Sequence, residues 1–155
     1  MSQPTTTYER IRLGLQEHYQ AFVDGSTNAA FCLVSTSELS LEAQNALFKS
    51  AQALGYSVHD ITLVVLHPNE QQTLLGKDVF ELIEGLDPLC MVICDQQSCQ
   101  TLSEAFRVKL PTNDIFYLLG KPCCCFNQFE DMLDNQNHKQ QAWACLKLLP
   151  PLKRR

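Results

Sequence analysis

The chain has 155 residues, 45% of them hydrophobic, so it can bury the core of one domain without covalent cross-links. Its formal net charge of −5 argues against a broad basic surface for duplex DNA, because non-specific phosphate binding needs clustered lysine and arginine. The polar start lacks the pattern of a signal peptide, and no apolar run is long enough to cross a bilayer; we therefore expect one cytoplasmic domain over residues 1–155, with no membrane contact.

The first part of the chain predicts a leading helix and three buried strands. Apolar residues recur at spacings of three and four over residues 8–22, which is typical of an amphipathic helix. With the linker that follows it, this segment occupies residues 1–28. Short continuous apolar runs then predict strands at residues 29–35, 60–66 and 89–94, each covered on both faces.

Helices are predicted between these strands. Ser40 is a candidate N-cap for a helix that ends at Gly55, where glycine permits a left-handed conformation. A second, shorter helix is predicted to close at Gly85. The remaining predicted elements are a helix at residues 99–106, a strand at 115–119, a short strand or turn at 123–126 and a helix at 142–149 that two prolines end.

The alternation of strands and helices predicts the fold class. Successive strands joined by helices require crossover connections, which are typical of parallel sheets with helices on both faces. We therefore expect an α/β protein of three layers, α/β/α, with a mostly parallel four-stranded central sheet.

The charges are unevenly distributed along the chain. Every acidic residue lies at or before Asp134, so the end of the chain is wholly basic. Its cations are Lys139, Lys147, Lys153, Arg154 and Arg155. The tail at residues 150–155, together with Lys147, is a candidate for weak contact with DNA or with a protein partner; a solubilising, frayed end is the alternative.

Eight cysteines raise the question of metal or redox chemistry. Several lie in apolar runs such as residues 89–94, which indicates reduced core thiols. Cys123, Cys124 and Cys125 are adjacent and would point to alternate faces of a strand, and no second half of a C-x-x-C pair is present, so we predict no metal site. Cys94 and Cys99 flank a helix start, where a thiolate can be stabilised, but packed thiols are the simpler interpretation.

The loops after the predicted strands hold the candidate binding residues. The first strand is followed by the polar run 35–40, with Ser35, Thr36, Ser37 and Glu38, and the third is followed by Asp95. Ligands of open α/β sheets bind at these carboxyl ends. Neither loop has the glycines of a phosphate-binding motif, so we expect no nucleotide cofactor. His67 follows the second strand and is either an acid or base group or a turn residue.

Several strings resemble the uracil-DNA glycosylase superfamily, in particular its bacterial type with compact loops. The helix that ends in Ala-Leu-Gly-Tyr at 53–56, followed by the strand Asp-Ile-Thr-Leu-Val-Val at 60–65, is similar to a helix and an Ile-Thr-Asn-Val-Val strand of that family. Residues 82–102 resemble its helix, buried strand and next helix, and residues 121–149 resemble its last turn and terminal Trp-x-x-Leu helix. The resemblance implies the fold of that superfamily.

The sequence differs from that family at the positions that carry the family's chemistry. The water-positioning Gly-Glu-Ala-Pro-Gly loop would fall at residues 35–39, and the base-reading asparagine would fall at Leu63. Asp95 replaces a glycine, Phe126 stands near the position of the charge-stabilising histidine, and Asn127 replaces a proline. Loss of all these groups removes the source of transition-state stabilisation.

The resemblance therefore implies a catalytically inactive glycosylase-fold protein, a binding or accessory factor for DNA replication or repair. The superfamily has such a non-enzymatic precedent in the psi subunit of bacterial clamp loaders, which this chain resembles in size, leading segment and degenerate loops. One alternative is an enzyme with a repurposed pocket, a glycosylase or hydrolase, in which Glu38, Asp95 and His67 converge. Another is a small α/β module that binds a ligand or protein unrelated to DNA.

Overall fold

The computed structural model describes residues 7–25 and 30–152. Over this part of the chain, helices and strands are interspersed, and the α/β class is confirmed. The elements are α1 (Thr7–His18), β1 (Val23–Gly25), β2 (Phe31–Ser35), α2 (Leu41–Ala53), β3 (Ile61–Val65), α3 (Lys77–Leu86), β4 (Cys90–Ile93), α4 (Gln96–Phe106), β5 (Asp114–Leu118), β6 (Lys121–Cys125) and α5 (Gln136–Leu146). Single turns of 3-10 helix, at Val58–Asp60 and Glu130–Leu133, precede β3 and α5.

The strands form one mixed sheet of six strands in the order β1-β3-β2-β4-β6-β5. The four central strands β3, β2, β4 and β6 run parallel, whereas β1 and β5 are antiparallel edges. The prediction of a four-stranded sheet is therefore wrong. It missed β1, which has only three residues and no continuous apolar run.

The fourth parallel strand is β6, not the predicted strand at 115–119. That segment is β5, which pairs with β6 as a hairpin whose loop is Leu119 and Gly120. Both loop residues have positive φ, at 49° and 84°, as a two-residue turn between twisted antiparallel strands requires. The run of three cysteines, for which the sequence left a turn open, is a fully buried part of this strand.

Of two helix boundaries predicted from the sequence, the start of α2 is confirmed and the end of α3 is wrong. Ser40 caps α2 as predicted, because its side chain accepts a hydrogen bond from the backbone N–H of Ala43. The predicted stop at Gly85 is wrong: α3 continues to Leu86, and Asp87 takes the left-handed conformation instead. Gly85 faces Leu15 of α1, and a Cβ at this position would overlap the Leu15 side chain.

Helices cover both faces of the sheet. One core cluster holds α1, α3 and α4 against one face, and the other holds α2 and α5 against the opposite face. The strands contribute alternate residues to the two cores: Cys123 and Cys125 lie in the first, and Cys124 lies in the second. Among the described residues, no helix has the length and apolar character that a membrane span requires.

Candidate functional site

A cleft of about 490 Å³ lies at the carboxyl ends of β2 and β4. From β2 the chain passes through α2 to β3, which lies on one side of β2. From β3 it passes through α3, on the opposite face of the sheet, to β4, which lies on the other side of β2. The order of the strands reverses between β2 and β4, and such reversals are where open α/β sheets bind ligands. We call this site the switch-point cleft; it is lined by Thr36, Ser37, Leu39, Cys94, Asp95, Gln96, Gln97, Gln100, Asn127, Gln128 and Glu130.

Asp95 joins the two loops of the cleft. Its carboxylate accepts hydrogen bonds from the N–H and the hydroxyl of Thr36, at 2.9 and 2.6 Å. It also caps α4 by accepting from the N–H of Ser98 at 2.8 Å. The Asp95 side chain is thus a structural clamp between the loop after β2 and the helix after β4.

The segment after β6 forms the third wall of the cleft. The N–H of Gln96 donates to the carbonyl of Asn127 at 2.7 Å, and the N–H of Phe129 donates to the carbonyl of Cys94 at 2.9 Å. The carboxylate of Glu130 accepts from the N–H of Ser40, the N-cap of α2, at 3.1 Å. Backbone and cap hydrogen bonds therefore hold all three walls together.

The chemistry of the lining is amide and carboxylate. Gln96, Gln97, Gln100, Asn127 and Gln128 contribute carboxamides that both donate and accept hydrogen bonds. The lining also carries two carboxylates, and none of the described residues that form it is a lysine, arginine or histidine. This surface suits a polar, uncharged group and repels a phosphate.

The structure brings only some of the predicted residues together. Thr36, Ser37, Asp95 and Asn127 line the cleft, as expected for loops at the same edge of a sheet. Ser35 is buried at the end of β2, where its hydroxyl donates to the carbonyl of Ser37 at 2.6 Å.

The remaining predicted positions lie elsewhere. Glu38 is exposed and does not line the cleft. Leu63 is a half-buried residue of β3 that packs against the α2 and α5 core, and Phe126 is fully buried in the same core, in edge-to-face contact with Phe129. Neither side chain carries a hydrogen-bonding group that could read a base.

His67 lies in the loop that follows β3. Its Nδ1 lies 2.6 Å from the Thr73 hydroxyl and 3.1 Å from the carbonyl of Gln72, so the ring is engaged with the loop that precedes α3. Only its backbone N–H reaches towards the cleft, where it donates to the carbonyl of Thr36. Of the three acid and base candidates, Asp95 alone lines the cleft.

The sequence did not single out the cleft residues contributed by the segment after β6 other than Asn127. Gln128 and Glu130 reach the cleft because β6 is a central strand beside β4. A usable signal was present: amide-rich stretches follow both β4 and β6.

The cysteines are free thiols, and most are buried. Burial raises the pKa of Cys90 to about 11 and the pKa of Cys123 to about 12. Cys99 is the half-buried one, and a hydrogen bond from the Cys125 thiol lowers the pKa of Cys99. Among the described residues, no group of three or more His, Cys, Asp or Glu side chains is placed to hold a metal ion.

The start of the predicted basic tail is attached to the domain. The Tyr56 hydroxyl donates to the carbonyl of Pro150 at 2.8 Å, and the N–H of Leu152 donates to the carbonyl of Leu54 at 2.8 Å. Lys147 is exposed at the end of α5. Lys153, Arg154 and Arg155 lie outside the described residues.

A scan of protein-family models and a search of curated proteins both found no match for this chain.

Proposed function

We propose that the protein is a non-catalytic binding factor with a uracil-DNA glycosylase-like fold, an accessory to DNA replication or repair in the cytoplasm. The observation that supports the proposal is the hydrogen bonding of Asp95. Its carboxylate is engaged by three hydrogen bonds from Thr36 and Ser98. A general base needs a carboxylate that is free to take a proton from water or substrate.

The placement of the other candidate groups supports the same proposal. Glu38 is exposed outside the cleft, and the His67 ring faces Thr73. An acid and base pair must lie within hydrogen-bond reach of one reacting group, and these three side chains do not share a cleft. Leu63 and Phe126, at the positions that the resemblance assigns to base reading and charge stabilisation, are apolar core residues.

The electrostatics of the cleft also favour a non-catalytic role. A glycosylase must hold the phosphates that flank the flipped nucleotide, which requires cations or free backbone amides. The switch-point cleft instead presents the carboxylates of Asp95 and Glu130. Any contact with DNA is therefore assigned to the basic end of the chain, through Lys147, Lys153, Arg154 and Arg155.

Fluorescence anisotropy with short single- and double-stranded DNA, at low and moderate salt, tests the DNA part of this proposal. The comparison is with a form truncated after Leu152, because residues 150–152 are bonded to the domain and must be kept. We expect weak binding that falls with salt and is strongly reduced on truncation, which removes three of the four cations and keeps Lys147. Binding that survives both changes would contradict the assignment to the tail, and no binding in either form would leave protein partners as the whole function.

One observation favours a second function, that of a small α/β module with a polar ligand. The central strands follow the order 2-1-3-4 when numbered along the chain, which flavodoxin-like sheets share, and the cleft lies at their switch point. A thermal-shift screen of small uncharged amides and nucleosides tests it. A ligand whose stabilisation is lost in Gln100→Ala, but kept in Gln52→Ala on the far part of α2, would favour this function over the first.

A further inference from the structure

A second concave surface lies between α2 and α5, away from the switch-point cleft. This α2–α5 groove has a volume of about 390 Å³, within the range of ligand pockets. Its apolar lining comes from both helices and from the turn that precedes α5. The residues that form it are Ala46, Phe129, Leu133, Ala142, Trp143 and Leu146.

Trp143 gives the groove an exposed aromatic wall. It is the single tryptophan of the chain, and 36% of its surface is exposed although Ala142 and Leu146 beside it are buried. Large aromatic side chains left partly exposed next to an apolar concavity are typical of binding hot spots. The floor, formed by Phe129 and Leu146, is 2% and 1% exposed, so it belongs to the fixed core and the concavity is preformed.

Two lysines stand at the edges of this groove. Lys49 extends from α2 and Lys139 from α5, and both are exposed. Within residues 7–25 and 30–152, neither ammonium group has an ion-pair or hydrogen-bond partner. Glu42 is the single acidic residue of the lining.

The sequence extends this positive charge along α5. Lys139, Trp143 and Lys147 are spaced by four residues and therefore lie along one face of the helix. No acidic residue follows Asp134, whereas the chain as a whole carries 17 acidic and 12 basic residues. The groove is thus a local basic and apolar surface on an acidic protein.

We propose that the α2–α5 groove binds a short acidic segment of a partner protein, with an aromatic or large aliphatic side chain of that segment seated against Trp143. The apolar floor supplies the anchor site, and Lys49 and Lys139 attract the acidic residues on either side of the anchor. This proposal names the kind of partner for the binding function proposed above. It depends on that function only because both treat the protein as a binding module.

A nucleic acid is a less suitable occupant. Single-stranded binding surfaces use several stacking side chains along a continuous basic track, whereas this groove offers one tryptophan and a mostly apolar floor. The acidic net charge also opposes a long phosphate chain more than a short peptide.

The experiment is panning of the full chain against a random peptide library displayed on phage. Counter-selection uses the double variant Lys49→Glu/Lys139→Glu. The matched control is Lys77→Glu/Lys109→Glu, which changes the net charge equally at two exposed lysines of the face covered by α3 and α4. Circular dichroism verifies that both variants are folded.

We expect enriched peptides with Asp or Glu beside an aromatic or large aliphatic residue. A synthetic copy of the strongest peptide should shift the Trp143 emission to shorter wavelength. Its affinity should fall by about tenfold or more in the groove variant and by less than about twofold in the control.

Three results would overturn the inference: no enrichment, enriched peptides without acidic residues, or equal losses in both variants. Displacement of the peptide by oligothymidylate would reassign the groove to nucleic acid, and light scattering that shows a dimer through this face would reassign it to a second copy of the chain. Uracil excision by the protein would refute the non-catalytic function and leave the peptide result unaffected, so the two failures are distinguishable.

Discussion

Substitution of Asp95 by alanine should destabilise the protein by about 3 kcal/mol, although it removes a side chain at the surface of a cleft. The cap on α4 through the N–H of Ser98 contributes about 1 kcal/mol. The two hydrogen bonds from Thr36 go to a charged acceptor, and we assign about 1 kcal/mol to each because Asp95 and Thr36 are half-exposed. With an m-value of about 2 kcal/mol/M, the urea midpoint should fall by about 1.5 M.

The controls separate the clamp from a general effect of charge. Asp95→Asn keeps an oxygen for Ser98 and for the Thr36 hydroxyl but places an amide nitrogen against the N–H of Thr36, so a loss of about 1 kcal/mol is expected. Thr36→Ala should cost about 1 kcal/mol, and the double variant with Asp95→Ala should be less destabilised than the sum, since the two share a hydrogen bond. An Asp95→Ala variant as stable as the wild type would refute the structural role and restore the carboxylate as a candidate base.

Three further predictions concern the core. Iodoacetamide at neutral pH should label Cys99 first in the native protein, because Cys99 is half-buried and its pKa is lowered; peptide mass spectrometry that finds Cys90 labelled first would contradict this. Stability should fall as pH rises above 9, since unfolded thiols lose their protons there whereas the folded Cys90 thiol keeps its proton until its pKa of about 11. Cys90 contributes about 3 kcal/mol of this loss, which is the difference between urea titrations of the wild type and of Cys90→Ala at several pH values; an equal loss in both would contradict it. Gly85→Ala should destabilise by about 1 kcal/mol through overlap with Leu15, and Leu15→Ala should remove that penalty; an equal penalty in both backgrounds would place the strain elsewhere.

Much of the fold could be predicted because its signals are local. The strands β2, β3 and β4 are continuous apolar runs. Ser40 was recognisable as an N-cap because its side-chain oxygen can accept a hydrogen bond from the first turn of α2. The edge strand β1 carries no such signal because three residues paired on one side need no apolar run. The strand β6 was ambiguous because Lys-Pro and three cysteines do not have the composition of a buried strand.

The two candidate sites also differ in how far the sequence alone predicts them. The switch-point cleft was partly predictable, since the carboxyl ends of parallel strands meet at one edge and the loops there were polar. The engagement of Asp95 with Thr36 was not, because the two residues are 59 positions apart. The α2–α5 groove depends on the packing of two helices distant in the sequence, so Lys49 and Trp143 gave no joint signal.

Single-turnover excision on uracil-containing DNA, with the protein in excess over substrate, tests whether the protein is non-catalytic. Both single- and double-stranded substrates are used, with an authentic glycosylase as positive control and the Asp95→Asn variant beside the wild type. We expect abasic product to form no faster than in the absence of protein. Excision by the wild type would refute the non-catalytic function, and its loss in Asp95→Asn would make the switch-point cleft an active site.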